Sequence, residues 1–153
     1  MLLEVTTERM ANYEIFQMKT YQELITFPNF EERFNYLATH QKVSDLTFGS
    51  NRKLNQMFYQ SPEWKRIRRL VIIRDGGCDL ACSDRPINST ILIHHINPIT
   101  VDDVVERRPC VFDLNNLITC SFDTHQQIHY GSLNGIVKSE PVERKPNDTI
   151  PWR

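Results

Sequence analysis

The 153-residue chain has no apolar run approaching the length of a membrane span, so no membrane partner is expected. Its start, MLLEVTTERM, lacks the basic region followed by an apolar stretch that a secretory signal needs, and a cytoplasmic location is expected. In a reducing compartment, four cysteines (Cys78, Cys82, Cys110 and Cys120) suggest a metal site or plain buried thiols before disulfides. Internal repeats are absent. So is an excess of positive charge: the formal net charge of −1 gives no global pull toward nucleic acid. Nothing resembles an appended recognition module such as a helix-turn-helix.

The distribution of charge says more than its sum. Residues 51–100 carry 8 Lys/Arg against 4 Asp/Glu, whereas residues 1–50 and 101–153 are both net acidic. Most of the basic middle is EWKRIRRLVIIRD, which is either a solvated helix face or a surface that meets phosphate. The length suits one domain with a helical extension and a buried core.

Short helices are expected in the first fifty residues. KTYQELITF has apolar residues at helical spacing, and FPNFEERFNYLATH reads as a helix capped at Asn29 with Glu31 and Glu32 in its first turn. Phe30, Phe34, Tyr36 and Leu37 supply the apolar side of that helix. FGSNRK is a break before a short helix, NRKLNQMFYQ. The best-marked helix follows, with Ser61 as cap, Pro62 in the first turn and Gly76-Gly77 as its end. Trp64, Ile67, Leu70 and Val71 form its expected core stripe, and Lys65, Arg66, Arg68, Arg69 and Arg74 occupy much of the remainder.

After Gly77, CDLACSDRPINSTILIHHI has turn residues around Asp84 to Ser89 and an apolar run from Ile91 to Ile93. It predicts a β-hairpin with His94 and His95 at or near a strand end. TVDDVVERRP reads as a short helix or turn capped by Thr100. FDLNNLITC reads as a short strand, and SFDTHQQIHYG as a final helix ending at Gly131. The last stretch, from residue 132, holds three prolines and no clear period, and an extended tail is expected there.

Four of the five histidines fall in two pairs, and the pairs carry the chemistry. His125 and His129, four apart on a helix, share one face and suit two ligands of one metal ion. A third ligand can come from His94 or His95. Neighbouring strand residues point to opposite faces, so the other member would be left for proton transfer. Three imidazoles leave coordination positions open, as a catalytic metal requires.

The order of EWKRIRRLVIIRDGGC, IHHINP, NNLITC and THQQIH, across residues 57 to 131, resembles the HNH endonucleases. The chain as a whole, including its tail PVERKPNDTIPWR, is similar to small HNH proteins of phages that infect Gram-positive bacteria. The resemblance implies an α+β fold containing a ββα-metal (His-Me finger) motif. Residues 1–56 would be a helical N-terminal extension, 57–131 the nuclease core and 132–153 an extended tail. It implies His94, His125 and His129 as ligands of one divalent metal ion (Mg²⁺, Mn²⁺, Ni²⁺ or Zn²⁺) and His95 as the general base. Asn116 would hold the histidine-bearing loop by side-chain hydrogen bonds. Asn115 is an equally ordinary turn residue, and the spacing to LIT favours Asn116.

Lys65, Arg68, Arg69, Arg107 and Arg108 are candidates for phosphate contact, and solubility explains each nearly as well. The implied partner is duplex DNA, with a phage packaging or replication protein as a further candidate. A phage-encoded chain would work in the host cytoplasm. Many family members carry a zinc knuckle of two Cys-x-x-Cys pairs. Here Cys78 and Cys82 are separated by three residues, and Thr124 stands where the last cysteine is expected. This spacing argues against a structural zinc held by all four cysteines and favours buried thiols. Asp75 is expected to cap the helix end or order the following turn. Two functional classes follow: a metal-dependent endonuclease, or a non-catalytic DNA- or protein-binding module with a structural metal.

Overall fold

A computed structural model describes residues 18–39, 52–81 and 85–131. The expectations for residues 1–17, for the break before the third helix, for Cys82 and Asp84, and for the tail from residue 132 lie outside the described residues. The fold is α+β. In chain order the elements are α1 (Tyr21–Leu24), α2 (Phe30–Leu37), α3 (Arg52–Gln60), α4 (Pro62–Arg74), β1 (Cys78–Asp79), β2 (Arg85–Pro86) and β3 (Leu92–His95). Then come α5 (Val101–Val105), α6 (Pro109–Phe112), a 3₁₀ turn (Leu114–Asn116), β4 (Leu117–Cys120) and α7 (Phe122–Tyr130). Among the described residues no helix is long and apolar enough to cross a membrane.

Local chemistry sets most helix ends. The Asn29 side chain accepts from Glu32 N at 2.9 Å, and its amide returns a bond to Glu32 Oε1 at 2.8 Å. Ser61 accepts from Trp64 N, and Pro62 occupies the first helical position, where its missing N–H costs nothing. Gly76 and Gly77 then adopt φ of 64° and 67°, which reverses the chain after α4 at no Cβ penalty. Thr100 and Asp103 close a reciprocal capping box at the start of α5.

The strand pairing departs from the expected hairpin. β1 pairs only with β2, while β3 runs antiparallel to β4, matching Leu92 with Cys120, Ile93 with Thr119, His94 with Ile118 and His95 with Leu117. The physical reason lies in β4, whose four residues are all buried. Such a strand needs apolar cover on both faces and a partner at its edge, and Leu92–His95, with Leu92 and Ile93, can supply one where the polar, turn-rich segment before it cannot.

β4 divides the core. On one face Ile118 packs with Leu24, Phe34, Leu37, Leu80, Ile96 and Ile128. On the other Leu117 packs with Phe58, Trp64, Ile67, Val71, Val104 and Val111. Helices α1 and α2 thus share a core with Ile96, β4 and α7, and Thr39 N donates to Ile128 O to tie the segment down. Leu70 departs from the expected stripe of α4. It is 40% exposed, because Trp64, Ile67 and Val71 already fill the side of the helix that faces β4.

Arg74 and Asp75 join α4 to the sheet. Asp75, with no side-chain exposure, meets Arg74 Nε at 2.7 Å and accepts from Thr119 N at 2.9 Å. Arg74 donates to Leu114 O and Leu117 O and lies over the Tyr21 ring at 3.5 Å. Asp75 is also the C-cap of α4, as expected, and its backbone oxygen accepts from Cys78 N across the following turn.

Candidate metal centre

In an antiparallel ladder, directly paired residues project to the same face. His94 is paired with Ile118 and therefore faces α7, whereas His95 is paired with Leu117 and faces α4. The ladder register separates the two imidazoles.

On the α7 side His94 meets His125 and His129. Ring centroids lie 5.3 Å apart for His94–His125, 5.1 Å for His94–His129 and 4.6 Å for His125–His129. One nitrogen from each ring falls within 4.8 Å of the others, a spread that small side-chain rotations close around one ion. Helix α7 places its two histidines one turn apart, and Ser121 fixes its start by accepting from Thr124 N. His94 is buried, and its Nε2 has no hydrogen-bond partner. A buried imidazole nitrogen left unpaired is costly unless something binds it, and a metal ion is what a cluster of neutral imidazoles suits. The donor set fits.

Electrostatics favours the neutral, ligating form. Burial first, and then the neighbouring imidazoles, hold His94 well below the usual histidine range. Burial, with His129 adding to it, lowers His125 to about 4. His129 is lowered by burial as well. The lowering favours the unprotonated form of all three rings at neutral pH, the form that coordinates.

His95 sits in a different setting. Its Nε2 lies 3.0 Å from Val111 O, and its ring lies nearly parallel to the Trp64 indole, with centroids 5.6 Å apart and an interplanar angle of 20°. A carbonyl oxygen accepts only, so Nε2 carries the proton and Nδ1 keeps its lone pair. Burial lowers the ring to about 4, against the opposing pull of the Val111 carbonyl.

Asn116 is buried and holds the turn that follows the histidine pair. Its Oδ1 accepts from Asn97 N at 2.9 Å and Asn97 Nδ2 at 2.7 Å, its Nδ2 donates to Cys110 O at 2.9 Å, and its backbone oxygen accepts from Ile96 N. Asn115 plays a different part, accepting from Gln22 N at 3.2 Å.

No family model, curated protein or solved structure matches the chain. The site is therefore read from its own chemistry.

The five candidate phosphate contacts are less alike than their charges suggest. Lys65 and Arg69 are exposed, and Lys65 donates to Gln60 Oε1. Arg68 donates to Ile91 O at 3.0 Å and braces β3. Arg107 is paired with Glu63, and Arg108 with Asp103 and Glu106. Of the cysteines, Cys120 is fully buried with its thiol pushed well up by desolvation, while Cys78 and Cys110 are half-buried. Among the described residues the three histidines are the group of His, Cys, Asp and Glu side chains placed to hold a metal.

Two residues escape the sequence reading. Asn97, legible only as part of an Asn-Pro break, connects Asn116 to the backbone of Lys19. Lys19 carries no motif at all. Its two backbone bonds to Asn97 bring its segment to the turn that follows the histidine pair.

Proposed function

We propose that the protein is a metal-dependent endonuclease that hydrolyses phosphodiester bonds of DNA, built on a ββα-metal motif formed by β3, β4 and α7. The observation that carries this reading is the division of adjacent histidines: His94 joins His125 and His129, while His95 is turned away with a free Nδ1. A purely structural metal site has no use for a neighbouring imidazole held in one defined tautomer.

The chain's own residues would act as follows. His94, His125 and His129 would hold one divalent ion. When bound, the ion would polarise the scissile phosphate and neutralise its developing charge. Mg²⁺, Mn²⁺, Ni²⁺ and Zn²⁺ are the candidates, and imidazole ligands suit the last two best. His95 Nδ1 would take the proton of the attacking water. The Val111 carbonyl keeps that nitrogen unprotonated and aimed, and Trp64 limits the rotation of the ring. A base held near 4 is fully in its acceptor form at neutral pH but is weak; an anionic phosphate beside it would raise its pKa toward the useful range. Asn116 would keep the turn after the pair in register through Asn97. Lys65 and Arg69, on the exposed side of α4, are the better of the basic candidates for flanking phosphates, since Arg107 and Arg108 are neutralised within the chain.

The test is cleavage of supercoiled plasmid with each of the four metals, comparing the wild-type chain with His95→Ala. Cutting that disappears in His95→Ala while metal affinity is kept supports the reading. A wild-type chain that binds metal yet cuts with none of the four would sink it and leave the non-catalytic binding module.

A further inference from the structure

The polar contacts of Asn116 belong to a chain of hydrogen bonds that starts in the segment before α1. Asn97 Oδ1 accepts from Lys19 N at 3.0 Å, and Asn97 Nδ2 donates to Lys19 O at 2.7 Å. One side chain thus pairs both backbone groups of a residue 78 positions away, much as a neighbouring strand would. The same Nδ2 meets Asn116 Oδ1 at 2.7 Å, and Asn97 N meets that oxygen at 2.9 Å. Asn116 Nδ2 then donates to Cys110 O at 2.9 Å. The next carbonyl of α6, that of Val111, lies against His95 Nε2.

Each link leaves the following amide one orientation, because an amide oxygen only accepts and its NH₂ only donates. The Lys19 N–H keeps Asn97 Oδ1 on its side, so Nδ2 points to Lys19 O and Asn116 Oδ1. Asn116 Oδ1 then faces two donors, which leaves its Nδ2 for the Cys110 carbonyl. Turning either amide over would set N–H against N–H and oxygen against oxygen. The same segment reaches the turn at a second point, where Asn115 Oδ1 accepts from Gln22 N at 3.2 Å. Leu24 and Tyr21 already seat α1 in the core, so what the bonds of Lys19 add is a constraint on Asn97.

We infer that Asn97 is a positioning residue for His95 and that the backbone of Lys19 completes its setting. The segment before α1 holds the Asn97–Asn116 pair in the one arrangement that keeps the Cys110 and Val111 carbonyls in place beside the imidazole. This rests on the phosphodiester reading above, in which His95 is the base, and it brings the N-terminal segment into the site as well as into the core. The Lys19 ammonium has no part in it. The segment acts through its backbone, which is why no side-chain motif marks it.

The test uses the full chain and three variants. Lys19→Ala loses the ammonium and retains both backbone bonds, Lys19→Pro loses the N–H as well, and Asn97→Asp loses both side-chain donations. The first readout needs no cleavage: nitrogen-15 shifts of labelled histidine at pH 7.5. Lys19→Pro and Asn97→Asp are expected to replace the single Nε2–H pattern of His95 with averaged shifts at both nitrogens, and Lys19→Ala is not. The second readout is cleavage of duplex DNA, with Ni²⁺ affinity measured beside it. Lys19→Pro is expected to have a kcat about tenfold below that of Lys19→Ala, with KM and Ni²⁺ affinity within about threefold. Asn97→Asp should fall by a similar factor. Equal spectra and equal kcat in the two Lys19 variants would overturn the inference. So would a loss of Ni²⁺ affinity that matches the loss of kcat, since the bonds would then merely support the fold. If the wild type cuts no DNA, the nuclease reading fails, and the His95 spectra alone decide whether the segment positions the ring.

Discussion

The backbone carbonyl of Val111 lies 3.0 Å from Nε2 of His95, and this contact decides which nitrogen of the ring can accept a proton. At neutral pH the ring is expected to be the Nε2–H tautomer. Nitrogen-15 chemical shifts of selectively labelled histidine would show it, with the His95 Nδ1 resonance in the unprotonated range. An Nδ1–H ring would leave the proposed base with no acceptor toward water.

Metal affinity should follow the face of β3 on which a histidine lies. His94→Ala and His125→Ala are each expected to weaken Ni²⁺ or Zn²⁺ binding by at least tenfold, while His95→Ala changes it by less than about threefold. Thermal unfolding gives an independent measure. At a metal concentration of one hundred times Kd, bound metal adds about 2.7 kcal/mol to the wild type and to His95→Ala. Most of that gain should be missing from the other two variants. Equal losses in all three would mean that the ladder does not separate the pair.

Acid should destabilise the metal-free protein earlier than its carboxylates alone would require. His95 and His125 are lowered to about 4 in the folded chain from an ordinary value of 6.5, and His94 and His129 are lowered too. Between these values the unfolded chain takes up protons that the folded chain refuses. Stability is therefore fully present above about pH 6.5 and falls as the pH drops toward 4. Chemical denaturation of chelator-treated protein at pH 7.5, 6.0 and 5.0 should show a steady decline, and a flat profile across this range would contradict it.

Asp75→Ala is expected to cost about 3–5 kcal/mol. It leaves Arg74 without its buried partner and Thr119 N without its acceptor. Asn116→Ala should cost about 1–3 kcal/mol, since it removes the acceptor of Asn97 N and the donor to Cys110 O. Urea unfolding measures both. The two variants should differ in a second respect: Asn116→Ala also slows cleavage, because it loosens the turn beside His95.

The helices were legible because their signals are local. Asn29, Ser61 and Thr100 each mark a helix start by a side chain that needs only three residues of context. The cluster of His94, His125 and His129 was legible for a related reason, since i, i+4 spacing and strand alternation are fixed by backbone geometry. The pairing of β3 with β4 was not. It is decided by burial on both faces of Leu117–Cys120, and no turn between adjacent strands announces it. Leu70 was misplaced because helical periodicity cannot tell how wide a face the rest of the core will cover. Lys19 and Asn97 meet across 78 positions of sequence, a distance at which pattern carries no signal.

The two-sided strand β4 also says which changes in length the protein can tolerate. The ladder from Leu92 to His95 assigns each imidazole to its side by parity, so adding or deleting one residue inside it would exchange the two jobs. The connection between Ile96 and Asn116 is free of that parity, provided Asn97 and Asn116 still meet and the Cys110 and Val111 carbonyls keep their places on Asn116 and His95. Natural or engineered variants should therefore vary in length between α5 and α6 while keeping α6 and an unbroken four-residue match between the strands. Under the proposed endonuclease reading, insertions there are a route to new surfaces for recognising substrate that leaves the histidines in place.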